Sequence, residues 1–429
     1  MQARPRWTAT FGTLVLLGAS ACRAPDPPLV PEGFSSTLPV VAIESSTSIG
    51  DEPKSFARMR IDLSYHALVG IEHRGRSSQI YFPKKQFGFE LRTEGDIQRQ
   101  GSILGMPSES DWVLIGPYSD KSMLRDALTF ELARGTGRWA PRGVFVELFL
   151  REEAPRPSPE EYQGLYLLTE KVSRGAGRVD LPRSRRRSGE DSGFILKLDW
   201  LDPDVKEAYF STASGERILL VYPGAKDVTE PQLAYLKDFL AAFENALMGD
   251  ADYTKLIDVD SFVDTMILQE LAKNVDAYRS STYLYKMPAG KLSLGPVWDF
   301  NQAYGNASYD SDATRTEGWR FQHARPQSWF TRLFRDERFF SRFASRYREL
   351  RQGALSDDAL FRWIDDQAAR LEEPIARNFE RWPILGTVVL GNPAEPPGSH
   401  AGEIAFLKLW LEARTRWMDL ELADLEERP

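Results

Sequence analysis

Asp276 and Asp299 are the two residues whose type and spacing point most directly to chemistry. They lie 23 residues apart, and the residues between them predict a β-hairpin, with strands at residues 282–286 and 291–294 joined by a Met-Pro-Ala-Gly turn. Such a hairpin would hold both carboxylates at one end of a small sheet. Phosphoryl transfer uses a pair of this kind, because one carboxylate orients the attacking hydroxyl and the other holds the metal on the nucleotide phosphates. Paired aspartates near strands are also common in structural roles, so other motifs must decide.

Six separated segments carry further motifs. They are Arg-Gly-Arg-Ser-Ser-Gln at residues 74–79, Pro-Lys-Lys-Gln-Phe at 83–87, Leu-Arg-Asp-Ala at 124–127, Gly-Leu-Tyr-Leu-Leu-Thr-Glu-Lys at 164–171, Lys-Asn-Val-Asp-Ala-Tyr-Arg at 273–279 and Trp-Asp-Phe-Asn at 298–301. In this order, from about residue 56 to about residue 382, they resemble the spore coat protein H (CotH) kinase family. The resemblance implies an atypical secreted or spore-associated protein kinase that uses ATP and a divalent metal. Many relatives have Asp where this chain has Asn301, which would weaken the metal site.

Composition excludes several other classes of protein. The chain has 429 residues, is 42% hydrophobic and carries a formal net charge of −8, so it can bury a large core and lacks the positive charge of nucleic-acid-binding proteins. The four histidines are scattered without zinc-ligand spacing, and we find no Gly-x-Ser-x-Gly turn for a serine nucleophile. A zinc hydrolase and a Ser-His-Asp hydrolase are therefore both disfavoured.

The N-terminus predicts export. Two arginines precede an apolar run at residues 11–17, which is too short to span a membrane, and small residues then lead to Cys22. We expect residues 1–22 to be a lipoprotein-type signal peptide with Cys22 as the acylated anchor; the alternative is cleavage nearby with an incidental cysteine. Residues 23–45, rich in Pro and Ser, would form a tether. The chain would then be a membrane-anchored lipoprotein of the cell envelope or surface, without an internal disulfide because Cys22 is its single cysteine.

The order of predicted elements indicates an α+β protein with a two-lobed, protein-kinase-like fold. A β-rich N-lobe would cover residues 46–172, and a mainly helical C-lobe would cover residues 173–429. Alternating apolar residues predict strands at 58–63, 66–72, 84–91, 143–151, 163–169, 193–198 and 218–222. Apolar residues three and four apart predict helices at 122–134, 229–247, 261–273, 329–350, 357–379 and 403–426.

The kinase comparison suggests residues for the phosphates. In the predicted strand 84–91, Lys85 shares the face of the apolar residues, where it would need an anion such as a nucleotide phosphate; Lys84 takes that place if the strand register shifts by one. Glu131, on helix 122–134, is the candidate that would pair with the strand lysine, and an exposed helix acid is the alternative.

Further nucleotide-binding candidates follow from position in the motifs. Arg74 and Arg76 lie in the polar segment after the second predicted strand, and Arg125 opens the predicted helix, where it would reach a phosphate or form a buried ion pair. Glu170 and Lys171 lie where a kinase chain crosses between its lobes and meets adenine.

Around the two aspartates, we assign Asp276 to the substrate hydroxyl and Asp299 to Mg²⁺ or Mn²⁺, with Asp276 and Asn301 as further metal ligands. Arg279 would stabilise the transition state or hold Asp276 in place. A typical kinase has Asn five residues after its catalytic Asp; this chain has Ser281 there, and Asn274 or Asn306 are possible substitutes.

The sequence thus predicts an exported kinase that transfers the ATP γ-phosphate to a hydroxyl, on Ser or Thr of a protein substrate, with Mg²⁺ or Mn²⁺. The competing hypothesis is a surface or adhesion scaffold protein with a kinase-like fold and little or no turnover. Asn301 and the missing downstream Asn favour the scaffold, whereas the retained Asp276 and Asp299 favour the enzyme.

Overall fold

The computed structural model describes residues 28–424, except residues 63, 153–157, 185–188, 202–207, 250, 326–327 and 394. The predicted signal peptide and Cys22 lie outside the described residues. Over the described part the protein is mixed α+β, which confirms the predicted class. No helix of this part is both long and apolar enough to cross a membrane.

The described residues form fourteen strands in three sheets. In chain order the strands are β1 Val40–Ser45, β2 Ser55–Ile61, β3 Tyr65–Arg74, β4 Gln86–Arg92, β5 Gly101–Ile103, β6 Met106–Glu109, β7 Asp111–Ile115, β8 Gly143–Glu152, β9 Tyr162–Glu170, β10 Phe194–Leu198, β11 Tyr209–Ser211, β12 Arg217–Tyr222, β13 Thr282–Lys286 and β14 Leu292–Leu294. Each strand predicted from alternating apolar residues is present, with boundaries shifted by a few residues.

Seven of these strands close into a barrel in the order β1-β2-β3-β4-β7-β9-β8. The neighbouring strands are antiparallel except at the closure, where β1 pairs in parallel with β8. Alternate residues such as Val41, Val69, Phe89 and Trp112 point inward and fill the barrel, as the period of two requires. The region that we predicted as a β-rich, kinase-like N-lobe therefore contains a closed barrel, which the sequence did not predict.

One boundary of the predicted tether is wrong. Val40–Ser45 forms β1 and pairs with both β2 and β8, so the folded domain begins before residue 46. Leu29 and Phe34, also placed in the tether, pack against the outside of the barrel beside Phe149. The apolar run at residues 40–43 is short, and the Pro and Ser residues before it obscured its strand character.

A five-stranded sheet in the order β11-β12-β10-β13-β14 supports the two aspartates. Its last two strands are the hairpin predicted between Asp276 and Asp299, and they pair antiparallel from Leu284 with Leu294 to Lys286 with Leu292. The hairpin prediction is confirmed. The third sheet is the short pair β5 and β6.

Ten α-helices accompany the sheets in the described residues. They are α1 Ser77–Tyr81, α2 Arg125–Gly135, α3 Glu230–Met248, α4 Val259–Ala272, α5 Ser311–Thr314, α6 Trp329–Arg335, α7 Glu337–Arg351, α8 Asp357–Arg370, α9 Glu372–Arg381 and α10 His400–Asp424. The sequence Thr-Glu-Pro-Gln at residues 229–232 predicts a capping box at the start of α3, and the structure contains it. Two long predicted helices are each divided: Asp336 caps α7 after α6, and Leu371 separates α8 from α9.

The strand predicted at residues 84–91 starts later than expected, because β4 begins at Gln86. Phe87, Phe89 and Leu91 do share the buried face, but Lys84 and Lys85 precede the strand. Lys84 is 1% exposed, and its Nζ donates to Pro117 O, Leu165 O and Asn378 Oδ1 at 3.2, 2.6 and 2.8 Å. Lys84 therefore connects α9, which carries Asn378, to the barrel strand β9, which carries Leu165.

We expect Lys84→Met to lower the free energy of unfolding by about 3 kcal/mol, because it removes the donor of three hydrogen bonds to buried oxygens while keeping most of the side-chain volume. Urea denaturation followed by tryptophan fluorescence would measure the change. The exposed Lys291→Met is the matched control and should change the stability by less than about 0.5 kcal/mol. Equal effects of the two substitutions would contradict the structural role of Lys84.

Candidate active site

Asp276 and Asp299 line one cleft of about 780 Å³. The cleft lies between the end of β3 with α1 on one side and the loops around the β13–β14 hairpin on the other. Arg74, Arg76, Arg279 and Asn301, four other predicted site residues, line the same cleft. The structure thus brings both aspartates and these four predicted site residues together in one cleft.

The side chain of Asn274 joins the loops that carry the two aspartates. Helix α4 ends at Ala272, and Asn274 follows in the loop with a buried side chain. Its Oδ1 accepts from the backbone N–H of Asp276 at 3.1 Å, and its Nδ2 donates to the backbone oxygen of Asp299 at 3.3 Å. Asn274, one of the two substitutes considered for the missing kinase Asn, therefore does not line the cleft but fixes the relative positions of the loops.

Asp299 is held in an unusual backbone conformation. Its φ is +68°, in the left-handed region where residues other than glycine are uncommon, although Asp tolerates it better than most. Tyr278 and Ser281, in the neighbouring loop, have φ of +68° and +46°. Left-handed residues cost free energy and gather at functional sites, so the packing around these loops must hold them in place.

The carboxylate of Asp299 lies in a strongly negative environment. Burial, followed by the charges of Asp276 and Asp199, raises its pKa to about 6, against the opposing effects of a hydrogen bond from Ser281 and the charge of Arg74. The Ser281 Oγ donates to Asp299 Oδ2 at 3.1 Å. Ser281 is the residue found where a typical kinase has Asn, and in this structure it contacts the carboxylate that we assigned to the metal.

Asp276 is more accessible than Asp299 and has a cation beside it. Its side chain is 33% exposed, and its Oδ1 accepts from Arg279 Nε at 3.3 Å. Burial raises the pKa of Asp276, and the Arg279 charge opposes this rise. Arg279 is itself half exposed at the cleft, so it can both hold Asp276 and face a bound anion.

Among the other acidic residues that line the cleft, Asp126 and Asp199 interact with the site and were not predicted from the sequence. Asp199, just after β10, accepts from Ser280 Oγ at 2.7 Å, and its Oδ2 lies 3.2 Å from Lys197 Nζ. Asp126, in the first turn of α2, is 7% exposed, and burial and the nearby Asp299 raise its pKa to about 8. Asp126 stands in the Leu-Arg-Asp-Ala motif, which was a signal for it; Asp199 has no such signal.

Three cations besides Arg279 face the cleft. The Arg74 guanidinium stacks over the Trp298 ring at 4.9 Å, and Arg76 Nη1 donates to the backbone oxygen of Leu201 at 3.2 Å across the cleft. Lys197 on β10 is the third, and it is the one lysine of the described residues that lines the cleft.

Lys85 and Glu131 are not brought together. Lys85 Nζ donates to the backbone oxygens of Gln79 and Phe82 at 2.6 and 2.9 Å, so it caps the end of α1 outside the cleft. Glu131 points to solvent, with its side chain 48% exposed, and pairs with Arg134 at 2.6 Å. The predicted ion pair between Lys85 and Glu131 does not form. Strand β4 starts after Lys85, and the face of α2 that meets the cleft carries Asp126 and not Glu131.

The other predicted nucleotide-binding residues also have structural partners. Arg125 is fully buried and pairs with Asp120, which corresponds to the alternative considered for it. Glu170 is buried and forms a two-point ion pair with Arg142, at 2.9 and 2.7 Å. Lys171 lies 3.3 Å from Asp111. Neither Glu170 nor Lys171 lines the cleft, because the chain leaves β9 on another side of the barrel.

In the part of the chain that the structure describes, no group of three or more His, Cys, Asp or Glu side chains is arranged to hold a metal ion on its own. The donors that we predicted for the metal all line the cleft: the carboxylates of Asp276 and Asp299 and the amide of Asn301. A nucleotide-bound Mg²⁺ takes one or two carboxylates from the protein and its remaining ligands from phosphate and water, so this donor set fits that metal.

Because Glu170 is buried and Glu131 is exposed, removing their side chains should affect stability differently. Glu170→Ala should lower the free energy of unfolding by about 2 kcal/mol, because it removes the buried partner of Arg142, whereas Glu131→Ala should change it by less than about 0.5 kcal/mol, as for an exposed ion pair. Thermal and urea unfolding would measure both. A large loss for Glu131→Ala alone would show that its carboxylate has a buried partner after all.

Comparison with known proteins agrees with the motifs. The family model described as CotH kinase protein matches residues 71–418, which is more than half of the chain and contains the whole cleft except its Asp51 and Glu52 edge. No curated protein matches the chain significantly. The resemblance inferred from the six motifs is thereby confirmed, and this chain belongs to the CotH kinase family.

Proposed function

We propose that this protein transfers the γ-phosphate of ATP to the hydroxyl of a Ser or Thr in a protein substrate, with the help of Mg²⁺ or Mn²⁺. Family membership supports a kinase-like activity together with use of ATP and a divalent metal. The observation that carries the proposal is that Asp276 and Asp299 line one cleft and that Asn274 ties their loops together.

In this proposal Asp276 orients the acceptor. The substrate hydroxyl donates to the Asp276 carboxylate, and its oxygen forms a bond to the γ-phosphorus while the bond from that phosphorus to the β–γ bridging oxygen breaks. The hydroxyl proton passes to Asp276, and ADP is the leaving group. The accessibility of Asp276 supports this role, because a protein side chain must reach it, and Arg279 holds the carboxylate in place.

Asp299 is the principal candidate to hold the metal, with Asn301 and Asp276 beside it. Its pKa is raised by burial and by two like charges, which is the environment that a divalent cation would relieve. The bound metal would neutralise charge on the β- and γ-phosphate oxygens. Ser281 donates to Asp299 and fixes the direction of the carboxylate in the absence of a second carboxylate at position 301.

The phosphates would meet Arg74, Arg76 and Lys197. Lys85 and Glu170 are bound to structural partners, so the role first given to Lys85 passes to the cations that face the cleft. Lys197 forms an ion pair with Asp199. Asp199 in turn accepts a hydrogen bond from Ser280, which belongs to the loop that carries Asp276. A carboxylate-held lysine on a rigid strand is suited to a triphosphate, because its position is fixed before the nucleotide binds.

We also propose that the protein acts outside the cytoplasm, anchored to a membrane through a lipid on Cys22. This proposal rests on the export-type N-terminus and on the small residues before that cysteine. The substrate would then be a protein of the cell envelope or surface.

Asp276→Ala and Asp299→Ala should each lower phosphate transfer by at least about 1,000-fold, because each removes a group that acts in the transition state. The measurement is transfer of ³²P from labelled ATP to a Ser/Thr-containing acceptor protein with Mg²⁺ or Mn²⁺. Asp299→Ala, which removes the principal metal ligand, should in addition weaken metal-dependent nucleotide binding, and by more than Asp276→Ala does.

Asp180→Ala, an acidic residue away from the cleft, is the control for the loss of a carboxylate, and circular dichroism would check that all variants fold. Equal transfer by the three variants and the native protein would refute the assignment. Binding of ATP by the native protein without any transfer would support the scaffold hypothesis instead.

A matched pair of lysines tests the phosphate site. Lys197→Met should weaken Mg²⁺·ATP binding about 10- to 100-fold, because a charge-assisted contact to phosphate is lost, and Lys85→Met should change it by less than about 2-fold. Isothermal titration calorimetry with a non-hydrolysable ATP analogue would measure both affinities. The reverse ranking would restore Lys85 as the phosphate-binding lysine.

A further inference from the structure

Four contacts join helix α2 to the segment at residues 298–304, which carries Asp299. Arg125 Nε donates to Ala303 O at 3.1 Å, and the hydroxyls of Thr129 and Tyr304 lie 2.8 Å apart. The other two contacts are the Phe130 ring against Trp298, with centroids 5.7 Å apart, and Asp126 Oδ1, which accepts from the Phe300 backbone N–H at 2.7 Å. The helix and the segment are therefore joined at several points.

Of these four contacts, only the one made by Asp126 involves the peptide group next to Asp299. The Phe300 N–H belongs to the peptide group directly after Asp299, so its direction is set by the ψ angle of Asp299. Phe300 is fully buried, and a buried N–H without an acceptor costs about 1–3 kcal/mol. The Asp126 carboxylate thus selects one orientation of this peptide group and, with it, one direction of the Asp299 side chain.

This restraint matters because the backbone of Asp299 is otherwise unfavourable. A non-glycine residue at φ +68° tends to relax toward the common regions unless its neighbours hold it. Asn274 restrains the carbonyl oxygen of Asp299, Ser281 restrains its carboxylate, and Asp126 restrains the next amide. Asn274 and Asp126 thus hold the C=O and the N–H of the same peptide group, and Ser281 holds the carboxylate of Asp299.

We propose that Asp126 is a positioning residue that presents Asp299 to the metal by fixing the peptide group between Asp299 and Phe300, and that it does so as a hydrogen-bond acceptor. This inference deepens the proposed function and depends on it for the role of Asp299. It gives α2 a different function from the helix of a typical kinase: α2 positions the metal-binding residue directly, through Asp126, while Glu131 remains at the surface.

The test compares two substitutions of one residue. Asp126→Asn keeps an oxygen that can accept from the Phe300 N–H, whereas Asp126→Ala removes it. We expect Asp126→Ala to weaken Mn²⁺ binding about tenfold in the presence of a non-hydrolysable ATP analogue and to lower kcat with little change in the KM for the acceptor. Asp126→Asn should restore Mn²⁺ affinity to within about 3-fold of the native protein. Electron paramagnetic resonance of free Mn²⁺ measures the affinity.

Thr129→Val is the control for loosened packing, because it removes the contact with Tyr304 in the same interface but does not touch the Asp299 peptide group. It should lower the unfolding temperature without changing Mn²⁺ affinity. Equal weakening by Thr129→Val and Asp126→Ala would overturn the inference, since helix docking in general would then be responsible. Equal weakening by Asp126→Asn and Asp126→Ala would also overturn it, since the charge and not the acceptor would matter.

The metal-binding readout separates this inference from the proposed function. If the native protein binds Mn²⁺ with the nucleotide analogue but transfers no phosphate, the proposed function fails while the ranking of the Asp126 variants still decides the inference. If transfer is present and the Asp126→Ala variant binds and reacts as the native protein does, the inference alone fails.

Discussion

The concentration of negative charge in the cleft is the constraint on which the rest of the site depends. Asp126, Asp199, Asp276 and Asp299 all line one cleft, and burial, followed by repulsion from neighbouring carboxylates, raises the pKa of Asp299 and Asp126. Carboxylates in such an arrangement would separate if their loops were free. They stay together because polar side chains and backbone groups of the fold bind the loops, and the unfavourable charge then favours a bound cation.

Several elements share the work of holding these loops. The Asn274 amide joins the two aspartate loops, the β13–β14 hairpin spans the distance between them, and α2 packs on the segment after Asp299. The cations that face the cleft come from other elements, with Arg74 at the end of β3 and Lys197 on β10. Carboxylates and cations are therefore positioned independently, and a triphosphate with its metal would bridge them.

The sequence was most informative where a local pattern determines local structure. The hairpin between the aspartates and the α3 capping box follow from turn and cap residues, and both were predicted correctly. The placement of Lys85 failed because strand registers depend on where a strand starts, and one residue decides which face a side chain takes. Asp199 was missed because its partners, such as Ser280, lie about 80 residues away along the chain.

Dependence on contacts between distant parts of the chain also explains why the closed barrel was not predicted. Barrel closure joins β1 to β8, which are about 100 residues apart, and no local pattern in either strand reveals the other. The role of α2 could be predicted only in part: its apolar stripe showed that it is a helix, but the side that meets Asp299 depends on the tertiary packing. Asp126 instead of Glu131 faces the cleft for that reason.

Closure of the barrel by its first strand has a consequence for solubility. Strand β1 covers hydrogen-bonding edges of both β2 and β8, so that the seven-stranded barrel has no open edge. A shortened protein that starts after Ser45 would expose two unpaired strand edges, and such edges recruit strands from other molecules. The residues of β1 thus protect the protein from self-association, which limits how much of the N-terminus can be removed.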